Sequence, residues 1–404
     1  MKSFLSSVCI LALAWLLPAQ DTLKEVSIRI PVQVRVYSEG MFVDNLGIDD
    51  FELYEGGKRQ RIEAVYHVRE GGVASQSPQD TPAPDFSRNL YVFFEVADYT
   101  PELRTSVRYF VQEVVRPTDN LTVITPKHAY RLKSAARRNI PKAELIRQLD
   151  ALFARDTLLS NPEYRAAVAE LSALASLAVD PENKGAQSPE LGGQAPPSGM
   201  SWDAVITRYS SLLSAVEKLR KIDERRLLDS VEMLRYQEGQ KFAFFFYQRE
   251  PLPRIATVLL DDYIRLNQGR RDVVRTLTYM QDFHNRDFHV DEEHLARAFA
   301  SASILFHFVV FDIPKEDGLT DIEARKLKEF YGRLEAISSL SGASFRRDLT
   351  PHELLRESVG RLDQYYLVYY APSYYAGDGK FKSIEVKVKD RQYRMVHRGG
   401  YVSE

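Results

Sequence analysis

The fold is decided by residues 89–101, which read Asn-Leu-Tyr-Val-Phe-Phe-Glu-Val-Ala-Asp-Tyr-Thr-Pro. Apolar and aromatic side chains fill 90–94 without a break, and such a run predicts a strand that is buried on both faces. An amphipathic helix follows directly, since Thr100 can cap it and Pro101 suits its first turn. Residues 121–124 predict another apolar strand, so strand, helix and strand form a right-handed crossover with parallel pairing.

Two kinds of pattern extend outward from this stretch. Further buried strands are predicted at 241–247, 303–311 and 365–370, with amphipathic helices between them. Residues 25–68 and 381–396 instead alternate apolar and polar side chains with period two, which is typical of half-buried strands. Neither end of the chain is large enough for its own core. We therefore predict an α/β fold in which a mostly parallel, Rossmann-type sheet flanked by helices is inserted in a small β-sandwich formed by the terminal strands.

This pattern also gives a domain order. The segments are a signal peptide at 1–20, an N-terminal β half of the sandwich at 21–70, a linker at 71–88, the α/β domain at 89–371 with a disordered insertion at 180–200, and a C-terminal β half at 372–404. The linker and the insertion are predicted from their high content of Pro, Gly, Ser and Gln, because such segments bury too little apolar surface to fold.

The start of the chain predicts export. Lys2 precedes an apolar stretch at 4–17, and a cleavage site at Ala19 or Gln20 completes the pattern of a secretory signal peptide. The stretch is too short for a membrane-spanning helix, so we expect a secreted or periplasmic protein. The single cysteine, Cys9, lies inside this stretch. The mature chain would therefore have no thiol for disulfide, nucleophilic or metal-thiolate chemistry.

The charge balance gives no reason to expect nucleic acid or a lipid bilayer as a partner. The chain has 54 Lys and Arg against 56 Asp and Glu, a formal net charge of −2, and 44% of its residues are hydrophobic. These values are ordinary for a globular protein, and no later segment is apolar enough to cross a membrane. We expect no nucleic-acid partner and no integral membrane segment in the mature chain.

Motifs near both ends resemble a known family. They are Gly-Ile-Asp-Asp-Phe-Glu-Leu-Tyr-Glu-Gly-Gly-Lys-Arg-Gln-Arg-Ile at 47–62, Gln-Tyr-Tyr-Leu-Val-Tyr-Tyr-Ala-Pro at 364–372, Phe-Lys-Ser-Ile-Glu-Val-Lys-Val at 381–388 and Arg-Gly-Gly-Tyr at 398–401. With the central apolar strand, they resemble the von Willebrand factor A-related family of secreted acidobacterial proteins over almost the whole mature chain. The resemblance implies a von Willebrand factor A-like α/β domain, a class used mostly for adhesion and protein binding.

Domains of that class usually hold a divalent cation through Asp-x-Ser-x-Ser after the first strand, because a hard cation needs several converging oxygens. The matching positions here are Glu95, Ala97 and Tyr99, so both hydroxyls are replaced. Arg249, after a later strand, would place a positive charge near the ion. Such sites also take a Thr from a later loop, and Thr125 is the single residue here that agrees with the usual set of ligands. We therefore predict a degenerate adhesion site that holds no metal and no other cofactor.

The same edge of the sheet is the predicted binding surface. Ligands of open α/β sheets favour the carboxyl ends of the strands, so we expect a protein partner to bind there. The candidate binding residues of this strand-end rim are Glu95, Asp98, Thr100, Thr125, Arg249, Glu250 and Asp312. A shifted cation site made by Glu95, Asp98 and Asp312 stays open as an alternative.

These observations favour a non-enzymatic binding module. The sequence has no Gly-x-Ser-x-Gly elbow, phosphate loop, dinucleotide fingerprint or His-Glu-x-x-His motif, and we assign no catalytic residue. His284, His289 and His294 are spaced by five, so they do not share one face of a helix. We expect a protein-binding or adhesion module whose partner lies in the cell envelope or outside the cell. The alternatives are an envelope hydrolase with an unrecognised carboxylate site and a self-assembling structural protein.

Overall fold

The computed structural model describes residues 28–79, 82–177, 200–220, 224–248, 252–255, 257–284, 291–311, 321–389 and 392–403. The predicted signal peptide lies outside these residues, and so does nearly all of the predicted insertion. The strands are β1 (Ile30–Ser38), β2 (Met41–Phe42), β3 (Phe51–Glu55), β4 (Lys58–Arg69), β5 (Gly72–Ser77), β6 (Arg88–Glu95), β7 (Asn120–Ile124), β8 (Ala129–Leu132), β9 (Gln240–Gln248), β10 (Ile304–Phe311), β11 (Gln364–Ala371), β12 (Phe381–Val388), β13 (Arg394–His397) and β14 (Gly400–Val402). The helices are α1 (Pro101–Tyr109), α2 (Ser134–Arg137), α3 (Lys142–Asp156), α4 (Pro162–Leu177), α5 (Trp202–Arg220), α6 (Glu224–Arg235), α7 (Thr257–Leu266), α8 (Arg271–His284), α9 (Glu292–Ser301), α10 (Asp321–Ser341) and α11 (Pro351–Asp363).

The larger sheet joins strands from both ends of the chain. Its order is β13-β1-β11-β4-β3-β12-β14, with β2 added beside β1 and β5 beside β4. Every pairing in it is antiparallel, and the sheet curls into a half-barrel. Its concave face is filled by alternate apolar residues, among them Val32, Val34, Tyr366, Val368 and Val386. The terminal segments therefore build one sheet around one core.

The second sheet is mixed and has the order β10-β9-β6-β7-β8. The first four strands are parallel neighbours, whereas β8 runs antiparallel to β7. Helices α1, α3 and α11 pack on one face of the sheet, and α6, α9 and α10 pack on the other. Because both faces are covered, the strand that contains Leu90 and Phe94 is buried almost throughout, as its apolar run predicted.

The predicted fold class is wrong. We expected a mostly parallel, von Willebrand factor A-like sheet inserted in a small β-sandwich, but the larger sheet is a single antiparallel half-barrel and the smaller one is mixed. The apolar run at 365–370 was assigned to the parallel sheet, yet it belongs to β11, which pairs antiparallel with β1 and β4. Part of the predicted linker is also a strand, since residues 72–77 form β5 against β4.

A separate helical cluster surrounds its own core. Helices α4, α5, α7 and α8 contribute to it, and its most buried residues include Tyr164, Leu171, Val205, Leu213 and Leu277. In the part of the chain that the structure describes, no helix combines the length and apolar character needed to span a bilayer. This finding is consistent with the prediction of no integral membrane segment.

Several helix ends carry capping signals. The Thr100 hydroxyl accepts a hydrogen bond from the backbone N–H of Leu103 at 3.3 Å, and Pro101 begins α1. Thr350 and Glu353 form a capping box at the start of α11. Gly342 follows the last residue of α10 with a φ of +87°, the left-handed conformation common at helix ends. The predicted start of the first helix at Thr100 and Pro101 is confirmed.

A buried ion pair ties the two sheets together. Arg88, at the start of β6, has Nε 3.3 Å from Asp119 Oδ1 and Nη1 3.1 Å from Asp363 Oδ1. Asp363 ends α11 directly before β11, so the contact joins the mixed sheet to the half-barrel. Burial lowers the pKa of Arg88 and raises the pKa of Asp119, with each charge acting against the shift of the other.

Candidate functional site

A cleft of about 450 Å³ opens where the convex face of the half-barrel meets the mixed sheet. One wall comes from β1 and β11, and the opposite wall comes from the starts of β9 and β10 together with the ends of α6, α9 and α10. The starts of parallel strands share one edge of a sheet, so this cleft lies at the edge opposite the predicted strand-end rim.

Strand β1 supplies the polar part of the first wall. Val32, Val34 and Val36 point into the half-barrel core. The alternate residues Gln33 and Arg35 face the other way, and they too are buried, with 9% and 1% exposure. The sequence pattern predicted a strand with one solvated face, but the mixed-sheet part of the molecule covers that face.

Gln33 is the least satisfied polar side chain of the wall. It lies opposite Leu367 in the β1–β11 register. Its Nε2 and Oε1 atoms are both buried and have no hydrogen-bond partner among the described residues. Leaving a buried amide without partners costs about 1–3 kcal/mol, so its presence in a folded protein calls for an explanation.

Lys241 brings a positive charge to the opposite wall. It lies at the start of β9 with 6% exposure, and its Nζ donates to the backbone carbonyls of Leu234 at 3.2 Å and Arg235 at 3.0 Å. These bonds satisfy the carboxyl end of α6 and use two of the three ammonium donors. Burial, assisted by the charges of Arg398 and Arg235, lowers the pKa of Lys241 to about 8.

Arg398 is the second cation of the cleft. Its Nη1 donates to the carbonyl of Ala300 at 3.0 Å and to the hydroxyl of Ser303 at 2.5 Å, and its Nη2 donates to the carbonyl of Pro31 at 2.6 Å. The Nε–H group is buried and has no partner in the described part of the chain. Burial lowers the pKa of Arg398 to about 10.

Lys241 and Arg398 have no counter-ion in direct contact in the described part of the chain, and a third cation, Arg235, also lines the cleft. Within the described residues, no carboxylate oxygen lies within 4.0 Å of a nitrogen of Lys241 or Arg398. Asp85 and Glu238 also line the cleft. The Asp85 carboxylate instead accepts hydrogen bonds from the Ser87 backbone N–H at 2.7 Å and the Ser87 hydroxyl at 2.8 Å.

The predicted strand-end rim is partly used by the chain itself. Glu95 is half-buried at the end of β6, and Asp98 is exposed. The backbone N–H of Asp98 donates to Gln248 Oε1 at 2.7 Å, while Thr100 serves as the cap of α1. Arg249, Glu250 and Asp312 lie outside the described residues.

Thr125 points inward. It is fully buried, and its hydroxyl donates to Asp156 Oδ2 at 2.8 Å. Asp156 also accepts from the Tyr130 hydroxyl at 3.0 Å, and the His128 ring nitrogen lies 3.3 Å away. Burial opposes ionisation of Asp156, but these hydrogen bonds and one from Arg155 outweigh it and lower its pKa. The cluster stabilises the turn after β7 and leaves Thr125 no role at the surface.

The connection from α3 to α4 covers the end of β6. The backbone N–H groups of Leu158 and Leu159 donate to the carbonyls of Val96 at 3.1 Å and Ala97 at 3.0 Å. The two leucines also pack on the core of the helical cluster. Among the residues that the structure describes, no group of three or more His, Cys, Asp or Glu is arranged to hold a metal ion.

Sequence reasoning missed Gln33, Lys241 and Arg398 as one site. Lys241 was only the first residue of a predicted strand, and Arg398 was only part of a terminal motif. The available signal was the alternation in β1, where Gln33 and Arg35 are polar residues on a strand next to a large inserted domain. A strand in that position has both faces covered.

Comparison of the chain with protein-family models, with curated proteins and with solved structures found no match. The resemblance to the von Willebrand factor A-related family therefore stays an expectation based on motifs, and the fold that it implied is the one corrected above.

Proposed function

We propose that the chain is an exported, non-enzymatic binding module and that its cleft takes an anionic group of a protein partner. The observation that carries this proposal is the buried amide of Gln33, which has no partner among the described residues, in a cleft that the buried cations Lys241 and Arg398 also line. The pattern of the first twenty residues supports export. The proposal moves the binding surface from the predicted strand-end rim to the opposite edge of the mixed sheet.

The physical reason is the free energy of burying a charge. Burying a cation without a counter-ion is unfavourable by several kcal/mol, and an opposite charge nearby offsets much of this penalty. Lys241 and Arg398 donate to neutral acceptors, which are backbone carbonyls and the Ser303 hydroxyl. An anion that enters the cleft would compensate both charges at once.

Thermal unfolding of the purified chain with small anions tests the proposal. Acetate, succinate and inorganic phosphate should raise the melting temperature, and neutral glycerol should not. At a concentration of about 100 times Kd the stabilisation would reach about 2.7 kcal/mol. Lys241→Met should abolish the response, whereas Lys133→Met, a change to an exposed lysine, should keep it. The same response in both variants would place anion binding outside the cleft and refute the proposal.

A further inference from the structure

The donors and acceptors in the cleft restrict the ligand further, and this inference rests on the proposed function. Lys241 and Arg398 can only donate hydrogen bonds. Gln33 offers an NH₂ donor and a carbonyl acceptor, and both are buried without partners in the described part of the chain. A ligand that satisfies all three side chains must carry an anionic acceptor and at least one N–H or O–H group of its own.

Sulfate, which carries no proton at neutral pH, meets only half of this requirement. It could accept from both cations and from Gln33 Nε2, but it has no hydrogen for Gln33 Oε1. That oxygen would stay buried and unsatisfied, which is unfavourable. A carboxylate beside an amide N–H meets the whole requirement, and this is the arrangement at the last residue of a polypeptide.

The rest of the wall suits an apolar side chain. Leu305, Leu367 and Tyr369 line the cleft beside the polar groups, with Pro31 and Pro84 nearby. Pockets for small ligands span about 300–1,000 Å³, so a cleft of about 450 Å³ suits one or two residues of a chain end.

We propose that the cleft binds the free carboxyl terminus of a partner protein whose last side chain is apolar. The terminal carboxylate lies between Lys241 and Arg398. The N–H group of the last residue donates to Gln33 Oε1, and its side chain contacts Leu367 and Tyr369.

Calorimetric titration of the full purified chain tests this with three probes. N-acetyl-leucine presents the carboxylate, the amide N–H and the apolar side chain. N-acetyl-leucinamide replaces the carboxylate by a neutral amide, and it should bind about ten- to hundredfold more weakly, since a charged hydrogen bond is lost. Sulfate should bind more weakly than N-acetyl-leucine. Equal affinity for the acid and the amide, or tighter binding of sulfate, would overturn the inference.

Variants of Gln33 give a second test. Gln33→Leu removes the donor and the acceptor, and Gln33→Glu places a fixed carboxylate in the cationic cleft. The glutamate variant should have a higher melting temperature than the parent chain and should no longer bind N-acetyl-leucine. Gln112→Leu, a change at an exposed position, is the control that keeps binding. A folded Gln33→Glu chain that binds N-acetyl-leucine with unchanged affinity would refute the assignment.

The outcomes separate this inference from the proposed function. If sulfate binds through Lys241 while N-acetyl-leucine does not bind, the cleft is an anion site and the carboxyl-terminus inference is wrong. If neither probe binds, both proposals are wrong.

Discussion

Replacing Lys241 by methionine should change how the stability of the fold depends on pH. Burial, with the charges of Arg398 and Arg235 nearby, lowers the pKa of Lys241 from 10.5 to about 8 in the folded chain. The unfolded chain keeps the ordinary value. At about 1.36 kcal/mol per pKa unit, the buried ammonium therefore destabilises the folded protein by about 3 kcal/mol at neutral pH.

The direction of this pH dependence follows from the number of protons that the folded and unfolded chains bind. Between pH 8 and 10.5 the unfolded chain holds the Lys241 proton and the folded chain does not, so stability rises with pH in this window. The penalty is present in full below the window and is absent above it. From about pH 7 to about pH 9.5 the parent chain should gain about 2 kcal/mol relative to Lys241→Met, in which this position cannot titrate.

Lys241→Met also lowers stability through lost hydrogen bonds, and this second effect does not alter the predicted pH dependence. Loss of the hydrogen bonds to the carbonyls of Leu234 and Arg235 should cost about 1–3 kcal/mol, but this loss is the same at both pH values. Urea unfolding followed by circular dichroism gives the free energy of unfolding at each pH, and Lys133→Met is the matched exposed control. A difference between parent and Lys241→Met that stays constant with pH would refute the reasoning. The same pH effect in the Lys133 variant would also refute it.

Four other substitutions test buried polar contacts and backbone conformation, each by urea unfolding. Asp156→Ala should lower stability by about 2–4 kcal/mol, because the buried hydroxyl of Thr125 and the half-buried hydroxyl of Tyr130 lose an acceptor; the exposed control Asp98→Asn should change it by less than about 0.5 kcal/mol. Asp119→Ala should cost about 3 kcal/mol, since it removes a carboxylate from a buried guanidinium, and a cost below about 1 kcal/mol would show that the pair is not important for stability. Gly342→Ala should destabilise by more than about 1 kcal/mol, because φ is +87° and a Cβ would lie 2.8 Å from a backbone nitrogen. Gly332→Ala, in the open middle of α10, should stabilise by about 0.5–1 kcal/mol, and the reverse order of the two glycine variants would contradict the backbone argument.

Helix ends could be predicted because their signals are local. The hydroxyls of Thr100 and Thr350 bond to N–H groups three residues ahead, and Gly342 supplies the left-handed conformation that ends α10. Each of these interactions depends on neighbours within one helical turn. The sequence therefore contains the whole of the information that decides them.

Strand partners could not be predicted in the same way. The run at 365–370 is apolar on both faces, which indicates a strand with both faces covered but not the direction of its neighbours. In the structure Tyr366 and Val368 face the half-barrel core while Leu367 and Tyr369 line the cleft. The same pattern would have suited a central parallel strand, and this ambiguity led to the wrong fold class.

The candidate site was missed for a related reason. The rule that ligands bind at the carboxyl ends of parallel strands directed the prediction to the strand-end rim. The connection from α3 to α4 occupies part of that edge. The cleft instead joins residues that are far apart in sequence, as the hydrogen bond from Arg398 to the carbonyl of Pro31 illustrates. No local pattern brings Gln33 and Lys241 together.

The stability cost and the proposed binding role of Lys241 can be tested in one experiment. An anion bound at the ammonium would raise its pKa back toward the ordinary value, because an opposite charge favours the protonated form. With saturating N-acetyl-leucine, the folded and unfolded chains would then bind this proton almost equally between about pH 7 and about pH 9.5. The gain of about 2 kcal/mol over Lys241→Met should therefore shrink toward zero. If ligand stabilises the parent chain equally at both pH values, its carboxylate does not lie at Lys241, and the cationic cleft is not where it binds.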